Sequence, residues 1–247
     1  VGKGKQIKLS DGNMADVLRL IINLVPSNEI QNQIEGDAST LPHYTQWCGI
    51  ELLPGEILIL GSEDISCAFY IFSLPEAWFP YFCIDWPLPA SMFGEDSEEL
   101  RYLCLRVIPM GWTSAVGIAQ ANLRQLAMGD LPKQAGLPPQ FELRKHRALP
   151  TDLHFRVVKW FQCYIDTLDG GSIVNLTEYL ATQYGGDIDK WQRAIQQSYE
   201  KSGVPRAVDK STSGTQVATL GIATNGMRGL STLGTGKHLE FIEVIRF

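Results

Sequence analysis

Phe161-Gln162-Cys163-Tyr164-Ile165-Asp166-Thr167 decides how this chain is read. It is a short aromatic and β-branched run, the composition of a strand, and it closes on one carboxylate at a turn. A second run of the same kind, Glu56-Ile57-Leu58-Ile59-Leu60-Gly61, leads into Asp64-Ile65-Ser66-Cys67-Ala68-Phe69. The two aspartates stand 102 positions apart, each at the edge of an apolar run, so adjacent strands could bring them together. Taken singly, an Asp at a strand end is ordinarily a turn or capping residue. Between the two lies Val107-Ile108-Pro109-Met110-Gly111-Trp112, a turn signal followed by a helical pattern.

The chain has 247 residues, 45% of them hydrophobic and 19% charged, enough to bury a sizeable core as one large domain or two small ones. The longest apolar runs are too short and too interrupted to span a bilayer, and no secretory h-region follows the N-terminus, so no membrane partner and an intracellular location, cytoplasmic or nuclear, are expected. Five scattered cysteines without a C-x-x-C pair point to reduced thiols and away from a disulfide framework or zinc site. The net charge of −6 is the wrong sign for a generic nucleic-acid binder, although local fields outweigh the total. Asn175-Leu176-Thr177 fits a glycosylation sequon, but without a signal peptide the reading as a helix start leads.

Strand-like and helix-like segments alternate without a fixed repeat, which predicts an α+β fold. Ala68–Leu74 reads as a strand. Tyr81–Pro87 and Arg101–Ile108 flank a polar tip at Gly94–Glu99, the pattern of a β-hairpin. Thr113 or Ser114 can cap a helix over 114–128 that buries Leu123 and Leu126. The segment 129–152, with four prolines and a basic cluster, reads as a surface insertion. Trp191, Ala194, Ile195, Ser198 and Tyr199 recur at helical spacing across Lys190–Ser202, and Gly203 ends the helix. The tail from Gln216 to Phe247 reads as two or three strands separated by Gly-rich turns.

Nucleotidyl transfer needs charge neutralised on a triphosphate and a 3′-hydroxyl placed in line, which two divalent cations roughly 3.5–4 Å apart accomplish. Mg²⁺ takes hard oxygen ligands and shares its shell with substrate phosphates, so a few carboxylates suffice. On five ordered blocks spanning about residues 17–235, the chain resembles the fingers and palm of a reverse transcriptase from a retrotransposon or retrovirus-like element. The blocks are Arg19–Asn28, Asp64–Tyr70, Pro109–Trp112, Tyr164–Thr167, and a last one made of Ser202-Gly203-Val204, Lys210 and Thr219-Leu220-Gly221.

The resemblance implies a polymerase palm, an antiparallel sheet backed by helices. It divides the chain into partial fingers over 1–62, a palm over 63–235 with a fingers hairpin at 80–108 and the insertion at 129–152, and a C-terminal edge strand over 236–247 with the thumb absent. It implies Mg²⁺ or Mn²⁺ held by Asp64, the Ile65 carbonyl and Asp166, an RNA or DNA template-primer and deoxynucleoside triphosphates. Phe69 would lie under the sugar and exclude a 2′-hydroxyl, or it is a core aromatic. Arg19 would neutralise phosphate, or form a surface ion pair. Met110 and Gly111 would line the nucleotide, with Gly111 allowing close backbone approach. Lys210 would touch the nucleotide, or is a solvated lysine.

Two residues depart from the family pattern. Thr167 stands where the hairpin usually carries a second Asp, and Met110 where retroviral enzymes usually carry Gln. Template-directed DNA synthesis, impaired by Thr167, is the leading expectation. An inactive retroelement remnant that keeps the fold and weak nucleic-acid binding is the alternative.

Overall fold

The computed structural model describes residues 2–8, 12–18 and 22–233. Its strands are β1 (Gly2–Lys8), β2 (Met14–Leu18), β3 (Glu56–Asp64), β4 (Leu88–Pro89), β5 (Leu100–Arg101), β6 (Lys159–Tyr164), β7 (Thr167–Asn175), β8 (Thr212–Gly214), β9 (Gln216–Thr219), β10 (Ile222–Asn225) and β11 (Leu230–Leu233). Its helices are α1 (Val25–Ile30), α2 (Ala68–Ile71), α3 (Ala115–Ala127), α4 (Asp130–Gln134), α5 (Leu176–Thr182) and α6 (Asp187–Lys201). Two compact units emerge, Val1–Ile34 with Phe69–Ala115, and Glu35–Ala68 with Val116–Phe247.

The larger unit is mixed α+β, and its centre is a four-stranded antiparallel sheet in the order β6-β7-β3-β8. β3 is buried from Ile57 to Asp64, as a central strand with neighbours on both edges should be. Because strand side chains alternate, β3 divides its chemistry between two faces. Gly61 and Glu63 face α6. Leu58 and Leu60 face the other way, into a core of Leu143, Val157, Trp160 and Val217. Ser62 and Asp64 continue that second face toward the strand's end.

Glycines set how closely the layers approach. A Cβ at Gly170 would lie 2.5 Å from Ile188 Cδ1 and 2.9 Å from Trp191 Cζ3, so α6 rests directly on backbone there. A Cβ at Gly171 would lie 2.9 Å from Trp160 on the opposite face. The Gly170-Gly171 pair therefore lets an indole pack against each side of β7. α6 answers with Ile188, Trp191, Ala194, Ile195 and Tyr199 buried in one stripe, and Gly203 ends it at φ +65°. Asn175 caps α5 by accepting from the backbone N–H of Thr177 at 2.9 Å and of Glu178 at 3.2 Å, so the sequon-like triplet is a helix start.

Several expectations change. Ala68–Ile71 is helix rather than strand, so Phe69 lies on α2; a short apolar run carries no period that separates the two. Leu126 is only half-buried, since α3 turns Ala115, Ala119, Leu123 and Ala127 inward on an i, i+4 stripe that leaves Leu126 at its margin. The segment 129–152 is exposed over residues 145–148 yet anchored in the core: Leu137 and Leu143 are fully buried, and buried Glu142 takes a two-pronged ion pair from Arg124, whose guanidinium also meets Asp37, with Arg144 on its other side. In the tail, β9, β10 and β11 form an antiparallel meander; the expected edge strand at 236–247 lies outside the described residues.

In the smaller unit, β1 pairs with β2. A two-stranded arm rises where the hairpin was predicted, with Leu88 opposite Arg101 and Pro89 opposite Leu100. At its root Cys83 and Cys104 sit as a cross-strand pair, Cα atoms 4.0 Å apart, joined by a disulfide. Uniformly reduced thiols are therefore not what the structure shows. The pairing was invisible because it depends on the hairpin's register, and a separation of 21 residues carries no local signature. Among the described residues no helix is long and apolar enough to cross a membrane.

Candidate active site

The β6–β7 hairpin turns in two residues, Ile165 and Asp166, between the paired Tyr164 and Thr167. Ile165 adopts φ +60°, a position that a two-residue hairpin normally gives to glycine. A β-branched residue there is strained, and such strain persists only where surrounding contacts over-determine it. Here Gln120 of α3 does so. Its fully buried side chain accepts from the Ile165 N–H at 2.8 Å and donates to the Cys163 carbonyl at 2.8 Å. Gln120 was not singled out from sequence, where it reads as one more polar position on a helix.

Asp64, at the end of β3, is the register partner of Thr167. The Ile65 N–H donates to the Asp166 carbonyl at 2.8 Å, which ties the ends of both strands together. The Thr167 hydroxyl donates to Asp64 Oδ2 at 3.3 Å, and Lys210 Nζ donates to Asp64 Oδ1 at 2.7 Å. Lys210 keeps 57% of its side chain exposed, so it is at once solvated and ion-paired. Its pKa is raised, first by the hydrogen bond to Asp64. The Asp166 carboxyl is held above its ordinary value, first by burial and next by the charge of Asp64.

Lys210 is placed by a buried carboxylate on the other face of β3. Glu63 is fully buried and accepts from Gln192 at 2.9 Å, Gln196 at 2.7 Å and the Ser211 hydroxyl at 2.6 Å, while Arg206 pairs with its second oxygen at 3.2 Å. These bonds fasten residues 206–211 to α6. The Ala207 N–H also donates to the Asp64 carbonyl at 2.9 Å. A carboxylate in the interior requires such partners.

Asp169 lies three residues past Asp166 and points into the core. It accepts from Ser62 Oγ at 2.6 Å, Thr219 Oγ1 at 2.8 Å and Gln162 Nε2 at 2.9 Å. No cation is among these partners, and burial raises its pKa against the three hydrogen bonds. A raised folded-state value means that the unfolded chain releases this proton first as pH rises. Stability drawn from Asp169 therefore falls from the ordinary carboxylate range up to the folded value, then levels off. Asn fits the same partners, because the Ser62 and Thr219 hydroxyls can turn to accept from its amide. We expect the melting temperature of Asp169→Asn, relative to the unmodified chain, to rise with pH across that window. A difference that stays flat between pH 4 and 8 would contradict the assignment.

The remaining predicted residues lie in the smaller unit. Phe69 and Met110 line one small cavity of about 40 Å³ together with Tyr70, Val107, Ile108 and Pro109. Gly111 has φ +95°, and its carbonyl accepts from Asn28 Nδ2 at 2.9 Å. A Cβ at Gly111 would meet nothing within 4 Å, so within the chain its glycine is demanded by the backbone angle and not by crowding. Arg19 lies outside the described residues.

Among the described residues no group of three or more His, Cys, Asp and Glu side chains could hold a metal ion. Two carboxylates, with a hydroxyl beside them, are nevertheless hard oxygen donors of the kind Mg²⁺ takes when phosphates complete its shell. The donor set thus fits a cation shared with a substrate and does not form a self-sufficient metal cage.

No family model matches the chain, and no curated protein matches it. Among solved structures it is similar to a foamy viral protease-reverse transcriptase dRH in complex with double-stranded DNA, at 12% identity and a TM-score of 0.52, covering 94% of this chain and 30% of that one. It is also similar to a foamy viral protease-reverse transcriptase in complex with an RNA/DNA hybrid, at 12% identity and a TM-score of 0.50, covering 94% and 23%. The likeness is one of fold, and the chain spans less than a third of the length of these solved chains.

Proposed function

We propose that this chain is a reverse-transcriptase-like nucleotidyltransferase domain that acts on a template-primer with deoxynucleoside triphosphates. The observation that carries the reading is the meeting of Asp64 with the Asp166–Thr167 turn at the ends of β3 and β7, on a fold shared with reverse transcriptases. Asp64 and Asp166, with the Ile65 carbonyl, would hold Mg²⁺ or Mn²⁺. When bound, the cation would neutralise phosphate charge and lower the pKa of the attacking 3′-hydroxyl. The chain's own residues do the rest. Gln120 holds the strained turn that aims Asp166, Thr167 orients Asp64, and Lys210 keeps a positive charge beside them. Phe69, Met110 and Gly111 keep the nucleotide-facing roles that the resemblance implies, as does Arg19.

A second reading, a remnant that binds nucleic acid without catalysis, is favoured by one observation. Both Asp64 oxygens already have protein partners, and Thr167 brings a hydroxyl where a third carboxylate would attract cations. A primer-extension assay on primed RNA separates the two. We expect slow incorporation that requires Mg²⁺ or Mn²⁺, stops with a chelator and accelerates in Thr167→Asp. Duplex binding without incorporation in either protein would leave the remnant reading standing and overturn the first.

A further inference from the structure

The smaller unit carries a concave site that the proposed reaction does not use. The 3₁₀ helix Glu76–Phe82 presents Trp78, Tyr81 and Phe82 to Trp112, and with Gln31 and Ile34 they enclose a pocket of about 280 Å³. Trp112 is its floor, packed edge-on against Trp78 at 5.9 Å and Phe82 at 5.2 Å between ring centroids. Both Trp112 and Phe82 are buried, whereas Tyr81 stands 67% exposed at the rim.

The walls are fastened before anything enters. Trp112 Nε1 donates to Gln31 Oε1 at 2.7 Å, and the Ile34 N–H donates to Ser114 Oγ at 3.0 Å. Asn28 bonds the same loop twice, donating to the Gly111 carbonyl at 2.9 Å and accepting from the Thr113 N–H at 3.0 Å. A rigid aromatic cavity loses little order when it is filled, and this is how interfaces seat an anchor side chain.

Charge selects the occupant. Between Phe69 and Ala115 the acidic residues are Glu76, Asp85, Glu95, Asp96, Glu98 and Glu99, set against Arg101 and Arg106 alone. Glu76 opens the helix that carries three pocket residues, and Asp85 follows it closely in the chain; both are exposed. Glu76 and Asp85 would repel a phosphate backbone beside the pocket, so stacked nucleobases do not suit it. A cationic peptide would be attracted. We infer that this pocket docks a protein partner through one aromatic or leucine side chain inserted between Trp78, Tyr81 and Trp112, with flanking lysines or arginines held by Glu76 and Asp85.

The probe is a short capped peptide bearing one Phe flanked by arginines, titrated by calorimetry into the whole chain at low salt. We expect saturable binding that is abolished when the peptide's Phe is replaced by Ala, and weakened about tenfold or more by Glu76→Lys with Asp85→Lys, exposed sites where folding is spared. Trp78→Ala should abolish binding while the circular dichroism spectrum and any primer extension persist. Equal binding of a glutamate-flanked peptide, tighter binding of a single-stranded oligonucleotide at the same pocket, or no binding of the arginine-flanked peptide would each overturn the inference. Because primer extension is read separately, its absence leaves this test intact.

Discussion

Asp64→Asn is expected to lower divalent-cation-dependent nucleotide incorporation by ~100–1000-fold, the loss seen when one electrostatic partner is withdrawn from a developing charge. The substitution keeps the shape of the side chain and an oxygen able to accept from Thr167 or Lys210. It removes the charge that Lys210 pairs with and that burdens Asp166. Two consequences follow from one change: weaker attraction for a cation, and an Asp166 relieved of the Asp64 charge. The comparison is best made on the Thr167→Asp background, where the baseline rate is expected to be higher. Rates from primed RNA with Mn²⁺, alongside Mn²⁺ binding followed by electron paramagnetic resonance, check it. Robust incorporation that survives Asp64→Asn would show that catalysis comes from other residues.

Trp191→Ala should cost about 3–5 kcal/mol of stability, the range for emptying a buried aromatic site. Trp191 is fully buried, lies 5.9 Å from the Phe161 ring and rests on the bare backbone of Gly170. Among the described residues its indole N–H has no hydrogen-bond partner, so the loss is one of packing and cavity. The reciprocal change, Gly170→Ala, overfills the same space and should cost about 1–3 kcal/mol. In the double variant the new methyl enters the space the indole leaves. The two costs should therefore fall short of additive, as contacting residues do. Urea unfolding of the four proteins measures this coupling; strict additivity would mean that α6 and β7 do not meet as described.

The sequence carried the elements whose signals are local. The apolar density of Glu56–Gly61 and the aromatic, β-branched run Phe161–Thr167 read as strand signals, the spacing of Trp191, Ile195 and Tyr199 made α6 a helix, and Asn175 was legible as a helix start. Each rests on residues within a turn or two of one another, where backbone sterics and one buried face decide the outcome. A short run such as Ala68–Leu74 offers neither period nor cap, and there the strand expectation gave way to helix.

What only the tertiary structure decided are pairings across long separations. Cys83 met Cys104 because a hairpin register aligned them. Gln120 gripped a turn 45 residues away, Lys210 reached Asp64 across 146, and Ser62 and Thr219 converged on Asp169 from two other strands. None of these has a sequence signature, since a polar side chain reads the same whether solvated or buried. Its partner is chosen by which strands lie side by side and which face is sealed from water. Once sealed, each buried donor and acceptor must find another or bear its desolvation cost, and that requirement gathers Ser62, Gln162 and Thr219 around Asp169.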